Sequence, residues 1–571
     1  MKPNATTAAE RRQVDEQRAW VALVGPEVED NLGLRYLASA LVEAGFDVEI
    51  LPFNSQEDLP PVLEAILAAR PAPVLVGVSL AFQWRALDVL ALVVALGERG
   101  FAGHVTAGGH FGSLSRDELL RDFAELDSIC CYEAEQTIVA LARALVSGSP
   151  LDDVGGLAFR ASDGSIEVPP IDGSPPLGEL AWPDRRGEPT SCLGHGIAPL
   201  VASRGCYANC AFCCIAAWHK QAPPAERVRM RPVDDVAREM AWLQRDHGID
   251  LFVFHDDDFF LPVRARSIER IEALGAALRA ESVGPIGTVV KARPNDLDDE
   301  VLGAMKRELG LIRLFLGVET DATQGLRTLR RGVRQQQNHE AMARLAAHGV
   351  YVCFNLLVFD PDTTVEDLET NLQFMTRYAD CPYNFGRVEL YAGTPLLGRM
   401  QVEGRCRGDY LGWDYRLADE VMQRVFELFI RCFRPRNFAK GALANRLMGT
   451  RFDAEVCRRF HGDRYQARWL ERSKELSRTL SLDSVSGLRE IVAFAGQQET
   501  AQAARRFVAE LSGRLRQTER DVLGGATALE GEIQGAVGAR CRHAKRALSL
   551  GTIPRRRTEG MLSKGQRGSS A

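Results

Sequence analysis

The sequence has no stretch long enough to cross a bilayer as a helix. Its longest apolar run, Ala86–Leu96, is interrupted by Asp88 and is about half of the ~20 residues that a span needs, so it reads as a buried helix. The N-terminal "MKPNATTAAERRQVDEQR" has no apolar core and does not read as a secretory signal. Charge of one sign is also missing. The 70 basic and 76 acidic residues leave a net charge of −6, too mild to point to nucleic acid or a membrane surface. These absences give the expectation of a cytoplasmic protein with neither nucleic acid nor membrane as partner. What is present is ordinary for a globular chain: 571 residues, 46% hydrophobic and 26% charged. That length suits about three or four domains.

Thirteen cysteines, an odd number in a chain expected to lie inside the cell, argue against disulfides. Most are scattered. Cys353 and Cys432, set among apolar neighbours, read as small core residues. Only "SRGCYANCAFCCIAAW", with Cys206, Cys210, Cys213 and Cys214, departs from that background.

Apolar runs alternate with helical periodicity twice. After a loose stretch over residues 1–18, five strand–helix units fill residues 19–150: "WVALVG", "FDVEILPF", "PVLVGVSLAF", "HVTAGGH" and "LDSICCYEAE" are the strands. This predicts a doubly wound parallel sheet. Residues 151–195 are rich in Gly, Pro, Ser and Asp and read as a linker, with "RASDGSIEVP" as a small hairpin. Six more units follow over 196–400, with strands predicted at 199–205, 251–258, 285–293, 312–320, 351–359 and 384–393. They predict a (β/α)6 partial barrel whose chemistry sits at the carboxyl ends of the strands. Residues 401–550 read as a mostly helical domain, and 551–571 as a disordered basic tail. The fold class is therefore α/β with a helical C-terminal domain.

Cys206, Cys210 and Cys213 form C-x3-C-x2-C directly after the first barrel strand. A structural zinc site usually takes four ligands in two separated pairs, and no partner C-x2-C pair is present. Three thiolates on a [4Fe-4S] cube leave one iron open to a small-molecule cofactor, which points to catalysis rather than electron storage. A zinc loop or incidental core cysteines are the alternatives. Cys214, adjacent to a ligand, is expected to point away and pack.

C-x3-C-x-Φ-C, with Phe212 as the aromatic, on this loop of a six-unit barrel resembles the radical S-adenosylmethionine (SAM) superfamily over residues 197–400. The resemblance implies that Cys206, Cys210 and Cys213 ligate the cluster and that SAM chelates its open iron. It implies that Phe212 sets its backbone beside the adenine. Asp256 and Asp257, in "HDDDFF" with His255, would receive the SAM amino group, or would be ordinary surface or salt-bridged carboxylates. Lys291 or Arg293 would take the SAM carboxylate, Glu319 the ribose hydroxyls, and the strand carrying Asn355 would lie near the adenine. Tyr391, on the last strand, would face substrate as a catalytic residue.

The first loop of the N-terminal sheet is not G-x-G-x-x-G, which disfavours a dinucleotide. Small residues at its strand ends allow a flat, wide ligand to approach the backbone. "NLG", "SL", "GGH" and "YEAE" resemble the cobalamin-binding domain of cobalamin-dependent radical SAM enzymes over residues 19–145. The resemblance implies that Asn31, Leu32, Gly33, Ser79, Leu80, Gly108, Gly109, His110, Glu133 and Glu135 contact cobalamin. The better-known D-x-H-x-x-G is absent: Asp30 holds the His position and Val28 the Asp position. Cobalamin is thus expected without a histidine lower ligand, with His110 hydrogen-bonding the corrin or its tail. A sheet that has lost its ligand and only packs on the barrel is the alternative.

What the resemblance implies as function is methyl transfer to an unactivated carbon of a small-molecule or peptide substrate. One SAM methylates cob(I)alamin. A second yields the 5′-deoxyadenosyl radical that abstracts hydrogen, and the substrate radical takes the methyl group from methylcobalamin. The alternatives are cyclisation, hydroxylation or ring contraction with the same cofactors, or a sensor without turnover. A flavodoxin or ferredoxin would supply electrons, and the chain is expected to be a monomer. Substrate is expected to touch the barrel mouth, Tyr391 and the C-terminal helices.

Overall fold

The computed structural model describes residues 19–171, 173–222, 227–438, 441–497 and 500–538. The expected loose N-terminus and basic tail lie outside the described residues. Strands β1 (Trp20–Gly25), β2 (Asp47–Pro52), β3 (Leu75–Ser79), β4 (His104–Gly108) and β5 (Ser128–Cys130) open the chain. Between and after them run α1 (Leu32–Glu43), α2 (Leu59–Ala68), α3 (Ala86–Glu98), the short α4 (His110–Leu114) and α5 (Arg116–Asp122), and α6 (Glu135–Ser147). Local chemistry sets the boundaries. Asn31 caps α1, its Oδ1 accepting the Leu34 N–H at 3.3 Å. Gly148, at φ +72°, ends α6.

The five strands are parallel in the order β2-β1-β3-β4-β5. Both faces are buried because neighbouring residues of each strand point to opposite sides. Ala22, Val24, Val76 and Val78 join one core with α2 and α3, while Val21, Leu23 and Leu75 join another with α1 and α6. Each fully buried Val or Leu contributes about 1.5–3 kcal/mol. The order reverses between β1 and β3, and in open α/β sheets a ligand binds in the crevice at such a switch point. The predicted hairpin is present as β6 (Leu157–Arg160) and β7 (Ile166–Glu167), which extend this sheet antiparallel from β5. The 151–195 stretch is therefore partly an edge of the first sheet.

The second sheet runs β16-β15-β14-β13-β12-β9-β8. Its six parallel strands are β9 (His195–Leu200), β12 (Ile249–Phe254), β13 (Gly287–Ala292), β14 (Leu311–Glu319), β15 (Tyr351–Phe359) and β16 (Tyr383–Arg387), with β8 (Thr190–Cys192) antiparallel at the edge. The first barrel strand ends earlier than expected. Asp256 Oδ1 accepts the Ala202 N–H at 2.8 Å and Oδ2 the Ser203 hydroxyl at 2.6 Å, so the chain leaves the sheet with its polar groups satisfied. Residues 203–205 then form β10 (Ser203–Gly205), paired only with β11 (Val228–Met230) in a separate ribbon.

Helix α7 (Cys214–Gln221) follows the cysteine loop. The outer layer holds α8 (Val233–His247), α9 (Arg264–Ala280), α10 (Asp299–Leu309), α11 (Thr323–Thr328), α12 (Gln335–Ala347), α13 (Val365–Arg377) and α14 (Pro395–Val402). Alternation along the strands sorts the rest. Phe252, Val290, Leu314 and Phe354 join the large core shared with these helices. Leu251, Val289, Ile312, Tyr351 and Cys353 point the other way, against Phe452, Val456, Trp469 and Ile533. Those partners belong to α16 (Leu443–Phe460), α17 (Ala467–Ala495) and α18 (Ala501–Val537), which follow α15 (Glu420–Phe438). Contacts from α16 reach the starts of strands: Arg459 Nε donates to Ile286 O at 3.1 Å, and Arg458 Nη2 to Gly349 O at 3.1 Å. The C-terminal helices thus plug the amino-terminal end of the barrel. Between β16 and α15, the loop with Tyr410 reaches back to the first domain, where Tyr410 Oη donates to Asp122 at 3.0 Å and its ring stacks on Phe111.

Candidate active site between the sheet and the barrel

Inner-face alternation carries apolar residues at the plugged end of the barrel over to polar ones at its mouth. Val289 is followed two residues on by Lys291, Phe315 by Gly317 and Glu319, and Cys353 by Asn355. Glu319 sits at a register shift in the β14–β15 pairing with φ +63°. A non-glycine residue held there is strained, and such strain collects at functional sites. Burial raises the Glu319 pKa, opposed by the charges of Arg331 and Arg293.

The cysteine loop lies over this mouth. Gly205 opens it at φ +92°, and a Cβ there would fall 1.9 Å from Arg227 O, so only glycine fits. The loop is pinned by Ala211 N–H to Leu329 O and by Leu396 N–H to Ala211 O, both 2.9 Å. Cys210 accepts from Arg331 Nη1 at 3.0 Å and from Arg293 Nη1 at 3.4 Å. Arg293 also donates to Arg331 O and packs on the Tyr207 ring. Burial pushes the Cys206 and Cys213 thiols up to about 12. Thiolates at such a site need a cationic centre beside them. Phe212 packs half-buried against the large core. Among the described residues no three side chains converge as a single ion requires; a cube instead holds its three thiol ligands apart, on three different irons. Buried guanidiniums on a thiol and the unpartnered Asn355 Oδ1 fit a cluster with a polar cofactor beside it.

A cavity of about 860 Å³ separates the first sheet from the barrel, within the ~300–1,000 Å³ of ligand sites. On the sheet side it is lined by Asn31, Leu32 and Gly33, by Ser79, by Gly108, Gly109 and His110, and by Glu133 and Glu135. Gly109 has φ +102°, and a Cβ there would lie 2.9 Å from the Ala81 backbone. Glycine at 109 is thus required by its close approach to the end of β3, and Gly108 and Gly109 put backbone against the cavity, where a broad ring system would fit. Leu80 does not line it. The residue after the end of β3 faces the opposite side, and Leu80 is buried with its N–H on Gly108 O at 2.8 Å. Glu133 and Glu135 are already ion-paired to barrel arginines (Arg204 and Arg229 for Glu133, Arg204 for Glu135). Asp30, at the missing-histidine position, pairs with Arg35 and Arg185.

On the barrel side Asp257, Lys291 and Tyr391 line the cavity; Cys206, Cys210, Cys213, Phe212, Asp256, Arg293, Glu319 and Asn355 do not. Asp256 faces inward, holding residues 202–203 with Arg270 at 3.7 Å, and so is not available to a ligand. Asp257 Oδ2 accepts the Gly205 N–H at 3.0 Å and lies 3.4 Å from His219 Nε2. Burial raises its pKa, but the hydrogen bond and charge of His219, with Lys291, bring it below the ordinary value. His255 is lowered to about 4, by burial and then by Lys291 and Arg185, so it is neutral near pH 7. Tyr391 Oη donates to Glu389.

Cys214 departs from the expected packing role. It lines the cavity, half-buried beside Tyr391 and Glu389. Trp218, four residues on, shares its helix face and also lines the cavity, 5.1 Å from the His110 ring and 5.7 Å from the Tyr132 ring. Sequence reading missed Trp218, although its i, i+4 spacing from Cys214 was a usable signal. It also missed Arg331, which nothing local connects to Cys210, 121 residues away. Among the described residues none of the C-terminal helices lines the cavity, where they were expected to meet substrate.

The B12 binding domain family matches residues 20–142, and the Radical SAM superfamily matches residues 200–375. An uncharacterized methyltransferase of Pyrococcus horikoshii is 25% identical over 398 residues, covering 68% of this chain and 79% of that one. The anaerobic magnesium-protoporphyrin IX monomethyl ester cyclase of Synechocystis is 28% identical over 332 residues, 56% of this chain and 62% of that one. Among solved structures, the cobalamin-dependent S-adenosylmethionine radical enzyme OxsB with aqua-cobalamin bound has the same fold: TM-score 0.61 at 17% identity, over 93% of this chain and 82% of that one.

Proposed function

Because the chain belongs to the cobalamin-dependent radical SAM enzymes, we propose that it is a methyltransferase moving a methyl group to an unactivated carbon of a small-molecule or peptide substrate. The observation that carries this reading is the single cavity bounded by the glycine-walled end of one sheet and by the helix that follows the cysteine loop. When bound, a [4Fe-4S] cluster with SAM supplies a carbon radical and cobalamin supplies the methyl group.

The residues divide the work. Cys206, Cys210 and Cys213 hold the cluster, with Arg331 and Arg293 donating to the Cys210 sulfur. Glu319 and Asn355 receive SAM from the barrel mouth, Phe212 lies beside its adenine, and Asp257 and Lys291 close the side toward the cavity. Asn31, Leu32, Gly33, Ser79, Gly108 and Gly109 cradle cobalamin. The first loop carries no histidine that could serve as a lower ligand, and His110, which lines the cavity, would hydrogen-bond the cobalamin. Tyr391, tied to Glu389, faces substrate. The proposal includes a flavodoxin or ferredoxin as electron donor, a monomeric state, and the domain limits 19–150, 151–195, 196–400 and 401–550. It places the enzyme in the cytoplasm, where the twelve cysteines among the described residues, none of them in a disulfide, would stay reduced. Among the described residues no helix is long and apolar enough to cross a membrane.

Likeness to the cyclase favours a second reading, a radical cyclisation, hydroxylation or ring contraction without methyl transfer. Anaerobic incubation of the reconstituted protein with SAM, cobalamin, reductant and candidate substrates separates the two. Methyl transfer gives S-adenosylhomocysteine in proportion to product. 5′-Deoxyadenosine alone supports the second reading. Neither compound with any substrate leaves only a non-catalytic sensor.

A further inference from the structure

The two halves of the active site are joined by a buried ion cluster. Arg204 on β10 and Arg229 on β11 stand opposite each other in the ribbon. Arg204 Nη1 reaches Glu133 Oε2 at 2.6 Å and its Nη2 reaches Glu135 Oε1 at 2.7 Å. Arg229 Nη2 pairs with the other oxygen of Glu133, while its Nη1 donates to Pro175 O at 2.9 Å. The Arg204 guanidinium also lies over the Tyr36 ring of α1, 4.9 Å from its centre. The Arg204 and Glu133 side chains are 17% and 7% exposed, so the pairs are shielded from solvent screening.

This ribbon belongs to neither large sheet. Its chain runs directly from Arg204 through Gly205 to Cys206. Gly205 has no freedom to adjust, being wedged against Arg227 O and hydrogen-bonded to Asp257. The root of the cysteine loop is therefore held from both domains, by Asp256 and Asp257 of the barrel and by Glu133 and Glu135, which follow β5 in the first domain. Tyr36, Glu133, Glu135 and Arg204 are at the same time walls of the cavity. A ligand that fills the cavity orders those walls, and the two-armed Arg204 pair passes that order to the loop.

We infer that Arg204, Arg229, Glu133 and Glu135 form a positioning clamp that couples occupancy of the cobalamin cavity to the order of the cysteine loop. The inference rests on the reading of the cavity given above. Coupling between two sites is reciprocal, so loading the cluster must tighten cobalamin by the same factor that cobalamin favours the ordered loop.

Hydrogen exchange followed by mass spectrometry tests this on full-length protein lacking the cluster. Added hydroxocobalamin is expected to slow exchange of the 203–214 amides about tenfold, alongside protection of the first-sheet loops. In Arg229→Gln, whose side chain does not line the cavity, the first-sheet protection should remain while the effect on 203–214 falls below about twofold, and Arg204→Gln, at cobalamin concentrations that still protect the first sheet, should lose the loop effect as fully. Arg204→Lys, which keeps charge without the two-armed reach, should fall between. If either Gln variant fails to fold, wild-type protein still decides: with the cluster loaded it should bind cobalamin about tenfold more tightly than without it. Protection of the first sheet with unchanged exchange at 203–214 would overturn the clamp alone. No binding of cobalamin by wild type would overturn the reading of the cavity, and the clamp with it.

Discussion

The mouth of the barrel and the carboxyl end of the first sheet are built on opposite plans. At the mouth, long charged side chains do the holding: two guanidiniums meet one cysteine, and a half-buried carboxylate sits at φ +63°. At the sheet end the wall is backbone, with Gly108 and Gly109 admitting a broad surface and the nearby acids already spent on arginines. A site that ligates through side chains should fail sharply when one is removed. A site that binds through shape should fail when something is added.

The largest effect is expected from Gly205→Ala, which drives a Cβ to 1.9 Å from a carbonyl oxygen. Removing that overlap requires moving backbone, at a cost of about 3 kcal/mol or more, and reconstituted protein should show no cluster absorbance. Arg331→Gln should come next. It strips the 3.0 Å donor from Cys210, and loss of such an outer partner typically lowers metal affinity about 10–100-fold, readable as faster iron loss to a chelator. Gly109→Ala should instead weaken cobalamin about tenfold and cost about 1–3 kcal/mol, leaving cluster absorbance intact. If Arg331→Gln weakened cobalamin as strongly as the cluster, the contrast between the two regions would break.

A subtler expectation concerns the boundary between them. Burial opposes the charge on Glu133, but Arg204 and Arg229 outweigh it and hold its pKa below the ordinary value. A depressed carboxylate lends its full stability above the unfolded-state value of about 4.3 and loses it as pH falls through the lower folded value. Urea melts should therefore show Arg204→Gln destabilised at neutral pH and indistinguishable from wild type in acid. The smallest effect is expected from His110→Ala: cobalamin affinity should change only a few-fold, about 1 kcal/mol for a lost hydrogen bond. The cob(II)alamin resonance should show no nitrogen splitting in either protein.

What was legible in the sequence was local or periodic. C-x3-C-x2-C, the β15 boundaries at Tyr351 and Phe359, and the delivery of Glu319 to the mouth all follow from short spacing or from alternation. Errors came where one residue of register decides the face. Leu80 and Asp256 each sit one position off the cavity-facing set, beside Ser79 and Asp257. Cys214 reads in the sequence as a packing residue, and only its i, i+4 spacing from Trp218 hinted that this face of α7 lines a cavity. The least legible features are long-range ion pairs. Arg204 and Glu133 are 71 residues apart, one on the β10–β11 ribbon and the other in the loop after β5, and only the docking of the two domains makes them partners.

Iron and cobalt content of two variants tests the central division most directly. After reconstitution with both cofactors, cobalamin being supplied about a hundredfold above its dissociation constant so that a roughly tenfold loss of coupling still leaves its site filled, Cys210→Ala should lose its iron and keep cobalt near the wild-type level, while Gly109→Val should lose cobalt and keep its iron. Cys210→Ala retaining iron, or either variant losing both metals while still folded, would contradict the account.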